Sequence, residues 1–156
     1  MRRYYISFNR VAVSAAQDLF ELLVAADEVM ILEELHITQD SDAGDTESEQ
    51  LAVSIRRVTG APTSGSGGST PTPVAANSGD AASGITAEAN NTTQISGGTN
   101  TVLLTEAFNV MAGLHYLPPP ESRPTFAGQT RCVVDLEAGP GDAVTMSGYV
   151  VVAEIG

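Results

Sequence analysis

The groups that could do chemistry in this 156-residue chain are nineteen acidic residues, two histidines and one cysteine. The densest cluster is Asp40-Ser41-Asp42-Ala43-Gly44-Asp45, followed by Glu47 and Glu49. A helix-flanked calcium loop needs a ligand at its fifth position, glycine at its sixth and Glu at its twelfth. Those places hold Gly44, Asp45 and Leu51, so the match fails. What remains is an irregular β-loop metal site using Asp40, Asp42 and Asp45, set against a solvated acidic hairpin tip. Neither His36 nor His115 stands near a cysteine or a second histidine in the sequence, which argues against a histidine-based zinc site.

Nucleophilic catalysis needs a Ser or Cys activated by a base that an acid orients. No nucleophile-elbow motif frames any serine here, and nineteen acids offer too many carboxylate pairs for any one to be informative as a glycosidase dyad. The runs Gly65-Ser66-Gly67-Gly68 and Ser96-Gly97-Gly98 lack the strand-to-helix setting and the Lys of a phosphate loop. The sequence therefore assigns no catalytic residue and no cofactor. A hydrolase would need His36 or His115 to meet an acid and a nucleophile in a cleft.

Composition narrows the partners. The net charge is −12, with seven Arg and no Lys, and the arginines are scattered. A protein that neutralises phosphates needs clustered cations, so nucleic-acid binding is disfavoured. No stretch approaches the ~20 apolar residues of a membrane span, and Met1-Arg2-Arg3 leads into alternation instead of the apolar run of a signal peptide, so synthesis in the cytoplasm is expected. Cys132 has no disulfide partner, and in Arg131-Cys132-Val133-Val134 it reads as a buried core thiol.

The elements that must position these groups are strands. A period of two with β-branched residues recurs between Gly, Pro, Asp and Asn punctuation. It predicts strands over 4–8, 11–13, 29–38, 51–58, 101–104, 108–111, 114–117, 130–136 and 145–155. Residues 19–24 read as a strand too, although Ser14 could cap a short helix over the residues that follow it. In 29–38 the pattern places Val29, Ile31, Leu35 and Ile37 on one face, with Met30, Leu32 and His36 on the other. Residues 59–100 change character to Gly, Ser, Thr, Ala, Asn and Pro, with Val74, Ile85 and Ile95 as the sizeable apolar anchors. They read as a long ordered excursion or a flexible arm, with short strand pieces near 85–89 and 92–95. The expectation is one domain over 1–156: an all-β jelly-roll or Greek-key sandwich of about eight strands, carrying 59–100 as a long insertion.

The segment order resembles a known group. Tyr4-Tyr5-Ile6-Ser7-Phe8 through Ala15-Ala16-Gln17-Asp18-Leu19-Phe20-Glu21-Leu22 leads into Ile31-Leu32-Glu33-Glu34-Leu35-His36-Ile37-Thr38-Gln39. The acidic turn, residues 50–60, the Gly-Ser-Thr-Pro stretch and Val144-Thr145-Met146-Ser147-Gly148-Tyr149 follow. Together they resemble small β-sandwich virion structural proteins of tailed bacteriophages, of the head decoration or cement type. The resemblance implies a non-enzymatic jelly-roll subunit, often trimeric, on the capsid exterior, bridging neighbouring major capsid subunits. It supplies no functional residues to carry over. The residues themselves suggest Arg2, Arg3, Tyr4 and Tyr5 at the amino terminus, and Pro62, Pro71 and Pro73 in a separable stretch 59–73, as partner contacts. The alternative is a tail or fibre module that binds a host receptor.

Overall fold

The computed structural model describes residues 1–41 and 49–156. The described residues form eleven strands: β1 (Arg2–Val13), β2 (Gln17–Leu23), β3 (Val29–Gln39), β4 (Gln50–Thr59), β5 (Val74–Ala75), β6 (Thr86–Asn91), β7 (Thr99–Asn109), β8 (Leu114–Tyr116), β9 (Thr125–Ala127), β10 (Arg131–Leu136) and β11 (Val144–Ile155). One short 3₁₀ turn, Pro120–Ser122, is the sole helical element among them.

The strands make two antiparallel sheets packed as a sandwich. Sheet I has the order β5-β1-β11-β3-β8, with β9 also paired to β3. Sheet II has the order β6-β2-β10-β4-β7. Alternation sets the two faces: in β1, Tyr4, Ile6 and Phe8 are buried while Tyr5 and Ser7 are exposed. From sheet I the core takes Tyr4, Ile6, Phe8, Met30, Leu32, Leu35, Ile37, Val150 and Val152. From sheet II it takes Phe20, Leu22, Val53, Ile55, Cys132, Val134 and Leu136. The Phe8 and Phe20 rings meet between the sheets with centroids 5.2 Å apart. Cys132 is the expected core thiol, and burial pushes its pKa up.

Two features of the sequence read differently once paired. The expected break between 4–8 and 11–13 is a β-bulge inside one strand: Phe8 faces Gly148 and Val11 faces Met146, and Arg10 adopts φ 52° while its N–H donates to Ser147 Oγ. The face assignment of β3 is corrected in the same way. Glu34 pairs with Val151 but Leu32 pairs with Val152, so Glu33 is an extra residue and the inward set becomes Met30, Leu32, Leu35 and Ile37. The predicted strand 101–104 and the first two residues of 108–111 belong to one strand, β7, with Val110 and Met111 in the turn that follows, while in 92–95 only Thr93 makes an isolated bridge.

Residues 59–100 are tied down at several points. Thr63 bridges to Ser96, Ser66 to Thr93 and Ser69 to Ala89, so two lengths of this segment run antiparallel. Val74 and Ala75 then pair with Tyr5 and Tyr4 at the edge of sheet I, and β6 extends sheet II beside β2. The glycine content has a packing cause. A Cβ on Gly68 would run into the backbone of Ala89 and Asn90, so the two chain lengths lie closer than side chains permit.

Gly148 shows the same constraint inside the sandwich, since a Cβ there would sit 2.9 Å from two Phe8 ring carbons and 3.2 Å from the His36 carbonyl oxygen. Gly148→Val is therefore expected to lower stability by about 1–3 kcal/mol through displacement of Phe8. Urea unfolding of the variant would read this as a lower midpoint at unchanged slope.

Candidate functional site

The two sheets present very different outer faces. On sheet II, Asp18 of β2 and Asp135 of β10 lie opposite each other, with Glu21 of β2, Arg131 of β10 and Arg56 and Ser54 of β4 beside them. Asp18, Glu21, Ser54 and Asp135 are all buried. Residues 62–70 and 92–96 cover them and supply partners: the Ile95 N–H donates to Asp18 Oδ2 at 2.6 Å, the Gly65 N–H to Glu21 Oε2 at 2.9 Å, and the Gln94 amide to Asp135. Arg56 Nη2 lies 3.2 Å from both Asp18 and Asp135, and Arg131 binds Glu21 and the Ser64 hydroxyl. Desolvation pushes the Asp18 carboxyl up to about 7, reinforced by the facing Asp135 and opposed by the Ile95 N–H and Arg56. This is a carboxyl pair of the kind that acid–base chemistry uses, but it is sealed beneath Gln94 and Ile95 and serves to latch the covering segment.

Sheet I leaves its outer face open, and that face gathers aromatic rings. Tyr149 of β11, His36 of β3 and His115 of β8 stand directly opposite one another in register, and Tyr5 of β1 flanks them. Centroid separations along the row are 6.4 Å for Tyr5–Tyr149, 5.3 Å for Tyr149–His36 and 5.0 Å for His36–His115. Glu34 binds the row together: Oε1 accepts from the Tyr149 hydroxyl at 2.7 Å and lies 2.8 Å from His115 Nε2. Desolvation works to raise the Glu34 carboxyl, but these hydrogen bonds outweigh it and hold it below its ordinary value. The same bond raises the Tyr149 phenol. Beside the row, Glu33 joins Arg3 of β1 to Arg123 of the loop before β9. A cleft of about 350 Å³ opens at the end of the row between His115, Glu106 and Pro118-Pro119.

The residues singled out in the sequence fall in several places. Tyr5 is 47% exposed on the open face, but Tyr4 is wholly buried with its hydroxyl donating to the Ala81 carbonyl, so its side chain belongs to the core. Arg3 pairs with Glu33, and Arg2 sits opposite Glu154 at the end of β11. Pro62, in the covering segment, and Pro71 and Pro73, just after it, are partly buried. Asp40 pairs with Arg10, while Asp42 and Asp45 lie outside the described residues. Among the described residues no three His, Cys, Asp or Glu side chains converge on a common point. Sequence reasoning missed the row itself. His36 and His115 stand 79 positions apart, and only the β3–β8 pairing brings them together.

No family model matches the chain, and neither a curated protein nor a solved structure matches it.

The latch has a definite pH signature. With its folded pKa raised from 3.8 to about 7, Asp18 binds a proton more tightly in the folded state, so its contribution is fully present below about pH 4 and is lost as pH rises towards 7. Asp135 is shifted in the same direction, chiefly by desolvation. Asp18→Asn, which holds the neutral form permanently, is expected to flatten the decline of melting temperature between pH 4 and 7. Thermal melts across that range, wild type against variant, check it. A second expectation concerns the stretch the sequence reading treats as separable: deleting residues 62–70 strips partners from Glu21 and Arg131, costing about 1–3 kcal/mol, readable as a lower urea midpoint.

Proposed function

We propose that the chain is a non-enzymatic structural subunit of a tailed-bacteriophage virion, a jelly roll that decorates the capsid exterior and bridges neighbouring major capsid subunits through the open face of sheet I. The jelly-roll reading is supported by the strand order. Setting aside the short β5 and β9 and the added β6, the sheets read β1-β11-β3-β8 and β2-β10-β4-β7, so the first and last strands lie side by side and successive strands alternate between sheets except at β4 and β7, which pair within sheet II. Two interlocked Greek keys produce that order.

The observation that carries the functional reading is the asymmetry of the two outer faces. The chain covers the β2–β10 part of sheet II with its own residues 62–70 and 92–96, whereas sheet I carries an uncovered row of Tyr and His side chains, with Tyr5 and His115 exposed and Tyr149 and His36 half-buried. Tyrosine supplies large contact area at low conformational cost and is enriched at protein interfaces. Self-association, with a trimer favoured by the resemblance, would multiply the weak contacts of one subunit. A second reading, a tail or fibre module, draws on the same row: rings beside an ionised acceptor, Glu34, and a neighbouring cleft also suit a host-surface saccharide.

Light scattering on the purified protein, followed by co-sedimentation with capsids assembled from the cognate major capsid protein, tests the proposal. The expected outcome is an oligomer that saturates the capsids, with Tyr5→Ala weakening the association at least about 30-fold, the loss typical of an interface hot spot. A protein that ignores capsids but binds host cells would favour the fibre reading. Capsid binding indifferent to Tyr5→Ala would overturn the assignment of this face.

A further inference from the structure

We propose that His36 and His115 form a two-imidazole site for a divalent transition-metal ion of the zinc, copper or nickel class, with Glu34 and Tyr149 as the residues that orient His115. The site lies on the open face of sheet I and does not depend on the virion reading. Its first support is register: His36 and His115 are directly paired across β3 and β8, where opposed Cβ atoms stand about 4.5–5.5 Å apart. Two imidazoles sharing one tetrahedral ion, with metal–nitrogen bonds of about 2.1 Å, hold their ring centres about 5 Å apart. The observed separation is 5.0 Å, with the rings tilted at 54°.

Aromatic packing alone also permits that spacing; the way the rings are held sets this pair apart. A metal-ligating histidine usually donates its other ring N–H to a carboxylate, which fixes the tautomer and raises the basicity of the free nitrogen. His115 has that arrangement: Nε2 lies 2.8 Å from Glu34 Oε1. Tyr149 donates to the same oxygen at 2.7 Å, fixing the carboxylate in turn. With its proton on Nε2, His115 keeps a lone pair on Nδ1. His36 stands edge-on to the Tyr149 ring at 77°, and among the described residues no hydrogen bond engages either of its nitrogens. Imidazole donors select zinc, copper and nickel over calcium and magnesium.

No third acidic or thiol side chain converges on the pair among the described residues, so water completes the shell and the ion exchanges readily. Bound metal would tie the three-residue edge strand β8 to β3 and brace the proline-rich stretch that follows it.

The test is calorimetric titration of zinc chloride into the untagged full chain, with copper(II)-induced broadening of histidine NMR signals as an independent readout. The expected result is one zinc per chain, broadening centred on His36 and His115, and no binding of calcium at the same site. His36→Gln, at a half-buried position, and His115→Gln, at an exposed one, should each abolish zinc binding, and Glu34→Gln should weaken it about 10-fold. Absence of zinc binding up to about 1 mM, or binding that survives unchanged in the double histidine variant, would overturn the site. Unchanged affinity in Glu34→Gln would overturn the orienting role of the carboxylate.

Discussion

Burying three carboxylates on the outer face of sheet II is the constraint from which much of the molecule follows. Each one that ionises there costs several kcal/mol unless it is paired and hydrogen-bonded, and desolvation accordingly shifts Asp18 and Asp135 towards their neutral forms. Arg56 and Arg131 neutralise part of the charge on Asp18, Glu21 and Asp135. The remaining lone pairs need donors, and the backbone N–H groups of Gly65 and Ile95 provide them. A segment whose composition cannot build a core of its own is thereby held in one place by polar contacts. The glycines that make it read as flexible let its backbone lie directly against that of β6 and the residues after it.

That covering decides which surface is available. Sheet II has the β2–β10 part of its outer face covered by its own chain, whereas the outer face of sheet I carries no such cover. The edge strands of sheet I are short, two residues in β5 and three each in β8 and β9, but β5 pairs with β1 only at Tyr4 and Tyr5, and beyond them β1 has no paired strand on that side among the described residues. Short edges resist indiscriminate strand addition. On the face itself, Tyr5, Tyr149, His36 and His115 cross four successive strands. The long β7, at the other edge of sheet II, is a different case: eleven residues, mostly exposed, with Val102 55% exposed. Self-association is one way such an edge is protected.

The strands themselves were largely legible, because alternation of apolar and polar residues is a local property. β10 and β11 match their sequence-predicted ranges to within a residue, and β4 extends its range by one residue at each end. What alternation cannot register is an extra residue, since a bulge shifts the phase without altering composition. The 59–100 segment was legible as exceptional but not as a cover, because its anchors are Asp18, Glu21 and Asp135 on other strands, whereas Val74, a sequence-predicted anchor, is 63% exposed. The aromatic row was invisible for a related reason. Tyr5, His36, His115 and Tyr149 are isolated in sequence, and strand order alone makes them neighbours.

The bulge at Glu33 joins core and surface in one device. Without the extra residue, either Met30 and Leu32 or Leu35 and Ile37 would face outward, exposing large aliphatic side chains. With it, Glu33 and Glu34 are consecutive yet both serve the outer side: Glu33 takes Arg3 and Arg123, and Glu34 takes Tyr149 and His115. The arginines on Glu33 stabilise the bulge by satisfying the one carboxylate it forces against the sheet. The same phase shift carries His36 outward, opposite His115. Packing of the apolar half of β3 and presentation of its polar half are therefore not separable, and a change that removed the bulge would lose both.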